Sequence, residues 1–272
     1  MKKINLVFEP AKIYFTILTD SIDVSEYLIN VYRNMLVEIE EKYNQIILVK
    51  RNNDIYYIQL PNGTSNKVCD LKEVLVIINR FIKKSFKCDL YWPFHGGVVI
   101  PKENNGIILC GKSGAGKSTL CTHFYLKGIL CPSDDLVWIH KDDFSIIPMP
   151  SSINLREDVI DKIELIKNNH KYSFPDIDGN RRWVLSNPNN INQAIQITRV
   201  ININYNEKYS YLEELNTVEA LRIALTNSYS AYNMRLNHEM ATKMVKEFKF
   251  YQMYYTSGLD GIDQIQKLLE ID

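Results

Sequence analysis

Gly106-Ile-Ile-Leu-Cys-Gly-Lys-Ser-Gly-Ala-Gly-Lys-Ser-Thr-Leu120 is the stretch on which the reading of this chain turns. Its centre is Gly111-x-x-x-x-Gly116-Lys117-Ser118, the pattern of a phosphate-binding loop. The flanks agree with the motif. Ile107, Ile108, Leu109 and Cys110 make a short apolar run of the kind that forms a buried strand. Thr119 to Lys127 predicts a helix stopped by Gly128. The chemistry follows from the residue types. Gly111, Gly114 and Gly116 allow positive φ and a close backbone approach to a phosphate. The amides of Lys112, Ser113, Gly114, Ala115, Gly116, Lys117, Ser118 and Thr119 then face an anion at the positive end of a helix dipole. Lys117 supplies a mobile charge for the β- and γ-phosphates, and the Ser118 hydroxyl is suited to Mg²⁺. The expected ligand is a nucleoside triphosphate with its magnesium ion.

Outward from the loop, the next informative spot is Gly128-Ile-Leu-Cys-Pro-Ser-Asp-Asp-Leu-Val-Trp-Ile139. Asp134 and Asp135 precede a strand-like apolar run. Adjacent carboxylates repel if buried together unless a cation or a shared proton relieves them, and Mg²⁺ beside a triphosphate would do so. On the other side lies Leu90-Tyr-Trp-Pro-Phe-His-Gly-Gly-Val-Val-Ile100, where His95 is expected to begin a strand next to the phosphate site. A lone histidine there is more often a hydrogen-bonded core residue. Asn104-Asn-Gly106 predicts a hairpin turn into the loop strand.

The remainder is read for organisation. Lys12 to Leu18 alternates as a strand, Val24 to Lys42 has helical spacing, and two apolar runs at 45–50 and 55–60 flank a polar turn. Residues 1–68 are therefore expected to be a small β-rich module, and 69–272 the phosphate-binding domain. Asp70 to Lys84 predicts an amphipathic helix capped by Asp70. Arg156 is a candidate phosphate or substrate contact, because a planar guanidinium matches phosphoryl oxygens. Asp158 to Asn168 predicts a helix. His170 to Asn190 is polar and irregular and is expected to be a charged loop, with Asp176, Asp178, Arg181 and Arg182 as candidate ligands. Gln193 to Asn204 predicts a strand, Thr217 to Leu225 a helix capped by Thr217, and Met234 to Phe248 another. Phe250 to Tyr255 predicts a strand and Gly261 to Leu269 a last helix.

Composition excludes little. The chain has 272 residues, 46% apolar and 24% charged, with a net charge of zero. That balance gives no global attraction to nucleic acid or to an anionic membrane. The opening residues imitate a signal peptide, but Glu9 and Pro10 interrupt too short an apolar run. No apolar stretch reaches the roughly 20 residues that span a bilayer. The five cysteines, Cys69, Cys88, Cys110, Cys121 and Cys131, show no zinc spacing. They are expected to be buried, reduced thiols of a cytoplasmic protein.

Taken together, His95-Gly96, the loop from Gly111 to Thr119, and Gly128 followed by Asp134-Asp135 resemble the catalytic domain of HPr kinase/phosphorylase and its wider group. The likeness is specific over residues 90–140 and diffuse beyond. It implies an α/β fold with a mixed sheet, a P-loop core of the phosphoenolpyruvate-carboxykinase-like kind. It further implies that Asp135 takes the proton of an acceptor hydroxyl, that Asp134 positions Lys117 or the metal, and that His95 orients the aspartate or the phosphoryl group. ATP and Mg²⁺ would be the cofactors, with Ser118 and Asp134 on the metal. The glycine-rich signature loop and the metal-binding glutamate of the bifunctional enzyme have no counterpart in this chain. Their absence weighs against the phosphorylase reaction and against HPr as acceptor. Shorter chains of this kind resemble the enzymes that phosphorylate a serine of a precursor peptide in natural-product clusters. The expected activity is ATP-dependent phosphorylation of a Ser or Thr hydroxyl on a peptide or small protein. A small-molecule hydroxyl kinase and a non-catalytic nucleotide-dependent regulator are the alternatives. Neither a nucleic acid nor a membrane is an expected partner, and a homo-oligomer is left open.

Overall fold

A computed structural model describes residues 1–8, 13–32, 35–38, 45–85, 90–102, 105–147, 153–156, 171–175, 181–185, 194–228 and 234–271. They form a mixed α/β structure, with six helices and curled mixed sheets among the described residues. The chain divides into two compact units, Met1–Lys87 with Asn154–Pro188, and Cys88–Ile153 with Asn189–Asp272. The first boundary falls after Lys87, where the sequence suggested residue 68.

In the first unit, β1 (Lys2–Phe8), β2 (Ile13–Thr19), β3 (Gln45–Asn52), β4 (Ile55–Gln59) and β5 (Ser65–Val68) make a five-stranded sheet in that order. The β2–β3 pair is parallel, and its crossover contains α1 (Ile22–Val31). The helix is shorter than the helical spacing over residues 24–42 suggested. Further on, Met35 N–H donates to the Tyr32 carbonyl at 2.8 Å, Leu36 bridges Leu6 and Val37 N–H donates to the Asn5 carbonyl at 3.1 Å. Pairing with the free edge of β1 wins over helix continuation. Helix α2 (Leu71–Lys84) starts at Asp70, whose carboxylate accepts from Lys72 N–H at 2.9 Å. Its buried side chains Val74, Leu75, Ile78 and Ile82 join the core of this unit, which is why the boundary lies beyond it.

The second unit carries β6 (Tyr91–His95), β7 (Gly97–Lys102), β8 (Asn105–Cys110), α3 (Lys117–Leu126), β9 (Leu130–Ser133), β10 (Leu136–His140) and β11 (Ser145–Ile147). The backbone of β12 (Ile153–Arg156), β13 (Lys171–Pro175) and β14 (Arg181–Leu185) forms a separate three-stranded sheet in the order β12-β14-β13. An irregular charged loop was expected over much of that region; the antiparallel β13–β14 pair takes part of it. The expected helix at 158–168 and the residues Asp176 and Asp178 lie outside the described residues. The chain continues through β15 (Ile195–Tyr205), β16 (Tyr211–Glu214), α4 (Thr217–Asn227), α5 (Met234–Glu247), β17 (Lys249–Tyr255) and α6 (Gly258–Ile271). Asn216, not Thr217, caps α4: its side chain accepts from Val218 and Glu219 N–H, both at 3.0 Å, and Glu219 completes a capping box.

The nine-stranded sheet of this unit is built around three parallel neighbours, β8, β15 and β17, with β8 beside β15 and β15 beside β17. Their side chains alternate between two buried faces. Ile108, Val200 and Phe250 share a cluster with Ala220, Ile223 and Ala224 of α4 and Met240, Ala241 and Met244 of α5. On the opposite face Leu120 of α3 and Tyr255 of β17 approach Gly261 of α6. Helices thus cover both sides of the parallel core, as such strands require. Buried Trp92 donates to Asn237 Oδ1 at 3.0 Å and ties β6 to α5. No helix among the described residues is long and apolar enough to cross a membrane.

Candidate phosphate-binding and catalytic site

The loop of interest joins the C-terminal end of β8 to α3. Residues Ile107 to Cys110 are fully buried, so the strand that launches the loop is rigid. Gly111 has φ +146°, and a Cβ there would lie 2.7 Å from the Ile203 carbonyl oxygen of β15. Only glycine lets the loop leave the sheet so close to its neighbour. At the far end, Gly116 has φ +92° and serves as N-cap of α3, with no side chain capping the helix. A Cβ at Gly116 would run into the Tyr255 hydroxyl. That hydroxyl donates to the Ala115 and Gly116 carbonyls at 3.2 Å each, and Tyr205 N–H donates to the Ala115 carbonyl, also at 3.2 Å. The loop's second half is therefore bolted to the ends of β15 and β17, while Lys112, Ser113 and Gly114 stand exposed.

Lys117 sits inside this arch. It is buried, and its ammonium donates to the Gly111 carbonyl at 2.7 Å and to the Lys112 carbonyl at 3.3 Å. The two carbonyls that accept from this buried ammonium are neutral, and an arriving anion would add charge-assisted bonds to it. Ser118 and Thr119 are half-buried on the first turn of α3. The first intrahelical bond runs from Leu120 N–H to the Gly116 carbonyl at 2.8 Å, so the amides of Lys117, Ser118 and Thr119 have no partner within the helix. These features suit an anion.

Beside the loop stand His95 and the aspartate pair. A Cβ at Gly96 would lie 3.0 Å from both the Ile108 side chain and the Leu109 carbonyl, which presses the His95–Gly96 corner against the loop strand. His95 ends β6 rather than beginning the next strand, and Leu136 of β10 is its register partner. The Gly96 N–H donates to the Asp135 carbonyl at 3.1 Å, and His95 Nδ1 lies 3.5 Å from Asp135 Oδ1. The two carboxylates do not share one environment. Ser133 Oγ donates to the Leu136 carbonyl at 2.7 Å and closes a tight turn between β9 and β10. Asp134 is 4% exposed, whereas the Asp135 side chain is 63% exposed. Burial of both, the arrangement that would have demanded a cation, does not occur.

Asp134 shares its surroundings with Lys117. The Cys121 thiol is pushed up, first by its contact with Cys131 and by burial, then by the Asp134 carboxylate, and Lys117 pulls it down again. One buried sulfur thus feels both charges. Burial also pushes the Cys110 thiol up to about 12, with Lys117 opposing. These thiols are inert at neutral pH. Cys110, Cys121 and Cys131 are buried and carry no disulfide, as expected; Cys69 is exposed, because it stands immediately ahead of the α2 cap.

Two site residues had escaped the sequence reading. Asn202 is the register partner of Cys110, the last residue before the loop. Its Nδ2 donates to Gln252 Oε1 at 2.7 Å, and Gln252 Nε2 returns a bond to the Asn202 carbonyl at 2.9 Å. The signal was a pair of amides on strands whose neighbouring positions are apolar. Arg156 ends β12; the residue lies at the division between the units, on the side of the first unit. Arg181 and Arg182 open β14 in that same unit. No group of three or more His, Cys, Asp or Glu among the described residues is arranged to hold a metal ion.

No protein-family model matches the chain, and no curated protein is significantly similar to it.

Proposed function

We propose that this protein is an ATP-dependent kinase with an HPr-kinase-like, phosphoenolpyruvate-carboxykinase-type P-loop core, acting in the cytoplasm on a Ser or Thr hydroxyl of a peptide or small protein. The observation that carries this reading is the pairing of two features in one unit. A glycine arch holds a buried ammonium, and an exposed carboxylate is backed by a histidine at 3.5 Å on the adjoining strands. An anion-binding arch alone would suit any nucleotide-dependent protein; the accessible base beside it favours transfer to an alcohol.

The residues present fit a magnesium triphosphate. The positive-φ arch leaves no room for a β-carbon at Gly111 or Gly116, and Lys117 is already buried within it. Lys117 and the loop and first-turn amides other than Ala115, whose N–H donates to the Lys112 carbonyl at 3.1 Å, would hold the phosphates, with Ser118 and Asp134 on the magnesium ion. The bound ion would neutralise charge on the phosphates. Asp135, open to solvent, accepts the hydroxyl proton of the acceptor, and His95 keeps the carboxylate aimed. General-base help of this kind contributes roughly 10² to 10⁴-fold; positioning supplies more.

The test is direct. The protein is mixed with Mg-ATP and a panel of Ser- and Thr-containing peptides, and products are read by mass spectrometry. A peptide heavier by one phosphate supports the proposal. ADP release with no phosphorylated acceptor, from peptides or small alcohols, would overturn it in favour of a nucleotide-dependent regulator.

A further inference from the structure

Tyr205 stands where the proposed nucleotide would leave the phosphate arch. It is the last residue of β15, and its N–H donates to the Ala115 carbonyl at 3.2 Å. Its Cβ lies 3.8 Å from the position of a β-carbon at Gly116. The ring is held edge-on against Tyr255, with centroids 5.8 Å apart and planes at 70°. Tyr255 in turn hydrogen-bonds the same stretch of loop through its hydroxyl. Asn206 N–H donates to the Tyr255 carbonyl at 2.9 Å and fixes the chain immediately after the ring. Despite this anchoring, Tyr205 is 48% exposed. A large aromatic side chain at the C-terminal end of a core parallel strand, rigidly placed yet half open, is poorly explained by packing.

We propose that the exposed face of Tyr205 is the stacking platform for the purine base of the nucleotide whose phosphates occupy the Gly111–Gly116 arch. This rests on the nucleotide reading given above and adds where the base goes. In open parallel sheets, ligands lie across the carboxyl ends of the strands. A nucleotide anchored by its phosphates at the end of β8 can extend toward His95 and Asp135 on one side or toward β15 and β17 on the other. The first side holds the acceptor machinery, so the base takes the second, where two tyrosines touch the loop: Tyr255 is buried, and Tyr205 is the one that offers an open ring face. Tyrosine suits the task, because it offers a flat, sequence-tolerant π-face and keeps its hydroxyl in water. Stacking alone does not choose between adenine and guanine, so the platform predicts similar affinities for ATP and GTP.

The experiment compares Tyr205→Ala, Tyr205→Phe and the unmodified protein by calorimetry with Mg-ATP, Mg-GTP and inorganic tripolyphosphate. The unmodified protein is expected to bind ATP and GTP more tightly than tripolyphosphate. Tyr205→Ala should weaken both nucleotides roughly tenfold or more and leave tripolyphosphate unchanged. Tyr205→Phe should bind all three as the unmodified protein does. Equal loss for tripolyphosphate would make Tyr205 a support of the loop and overturn the platform. Unchanged nucleotide affinity in Tyr205→Ala, including a case in which the ring contacts an acceptor peptide instead, would also overturn it. If the unmodified protein binds tripolyphosphate as tightly as ATP, the platform fails while the phosphate arch stands. Binding of none of the three would overturn the arch, and the platform with it.

Discussion

Gly114 offers the sharpest test of the arch. It has φ +84°, and a β-carbon added there would find nothing within 4 Å. Gly128, after α3, has φ +78° and equally open surroundings. Alanine at either position therefore incurs the same backbone penalty, about 1–2 kcal/mol for a left-handed residue. In a unit of this size that corresponds to a fall in Tm of about 2–8 °C. The two variants separate only if a ligand uses the space above Gly114. A methyl group there would push a phosphate off at least one loop amide, and a lost hydrogen bond to a charged group costs about 1.5–3 kcal/mol. Gly114→Ala should thus weaken Mg-ATP by roughly 10- to 150-fold, and Gly128→Ala by less than about twofold. Isothermal calorimetry with thermal melts of both variants decides the matter. Matched melts with matched ATP affinities would refute the arch as a phosphate site, because stability and binding would then be insensitive to the one difference between the positions.

Other expectations follow from the same geometry. Lys117→Ala should abolish turnover, by at least ~100-fold, and weaken ATP binding; an unchanged kcat would remove the ammonium from the mechanism. Asp135→Asn should keep near-normal ATP affinity while slowing transfer about 10²-fold or more, and a loss confined to KM for ATP would show that this carboxylate is not the base. Asp260 links three segments: its carboxylate accepts from Thr256 N–H at 2.8 Å, Thr256 Oγ1 at 3.1 Å and Ser210 Oγ at 2.8 Å. Partial burial alone would raise its pKa, but the Thr256 amide leads a set of donors that hold it below the usual carboxylate value. A depressed folded-state pKa stabilises above the unfolded value and loses that contribution as pH falls through the folded one. The Tm gap between the unmodified protein and Asp260→Asn should be full at neutral pH and shrink below about pH 4. A gap that widens with acid would mean the carboxyl is not held ionised.

What could be read in advance was whatever depended on local spacing. The loop, its strand and its helix are fixed by glycine positions and by the apolar run before them, and the strands at 195–205 and 249–255 announce themselves by composition. Long-range competition was not legible. The helical spacing of Tyr27, Val31, Met35 and Ile39 continues past residue 32, yet the free edge of β1 takes residues 36 and 37, which no local pattern reveals. Similarly, Asp70 to Lys84 reads as a helix in any context, but which unit receives its apolar face depends on partners distant in sequence.

The aspartate pair shows the same division at the scale of the site. Two neighbouring carboxylates pose an electrostatic problem that sequence alone resolves with a metal ion. In the structure the two are held apart: Ser133 closes the β9–β10 turn onto the Leu136 carbonyl, and the intervening side chains take different environments. Asp134 joins Lys117 around the buried Cys121 thiol, while Asp135 meets His95 at the surface. A carboxylate kept near a fixed cation is suited to holding charge; one kept in water beside a histidine is suited to exchanging a proton. In the proposed mechanism the roles differ because the turn separates the environments, so Ser133→Ala, which frees that turn without touching either carboxylate, should slow transfer more than it weakens ATP binding.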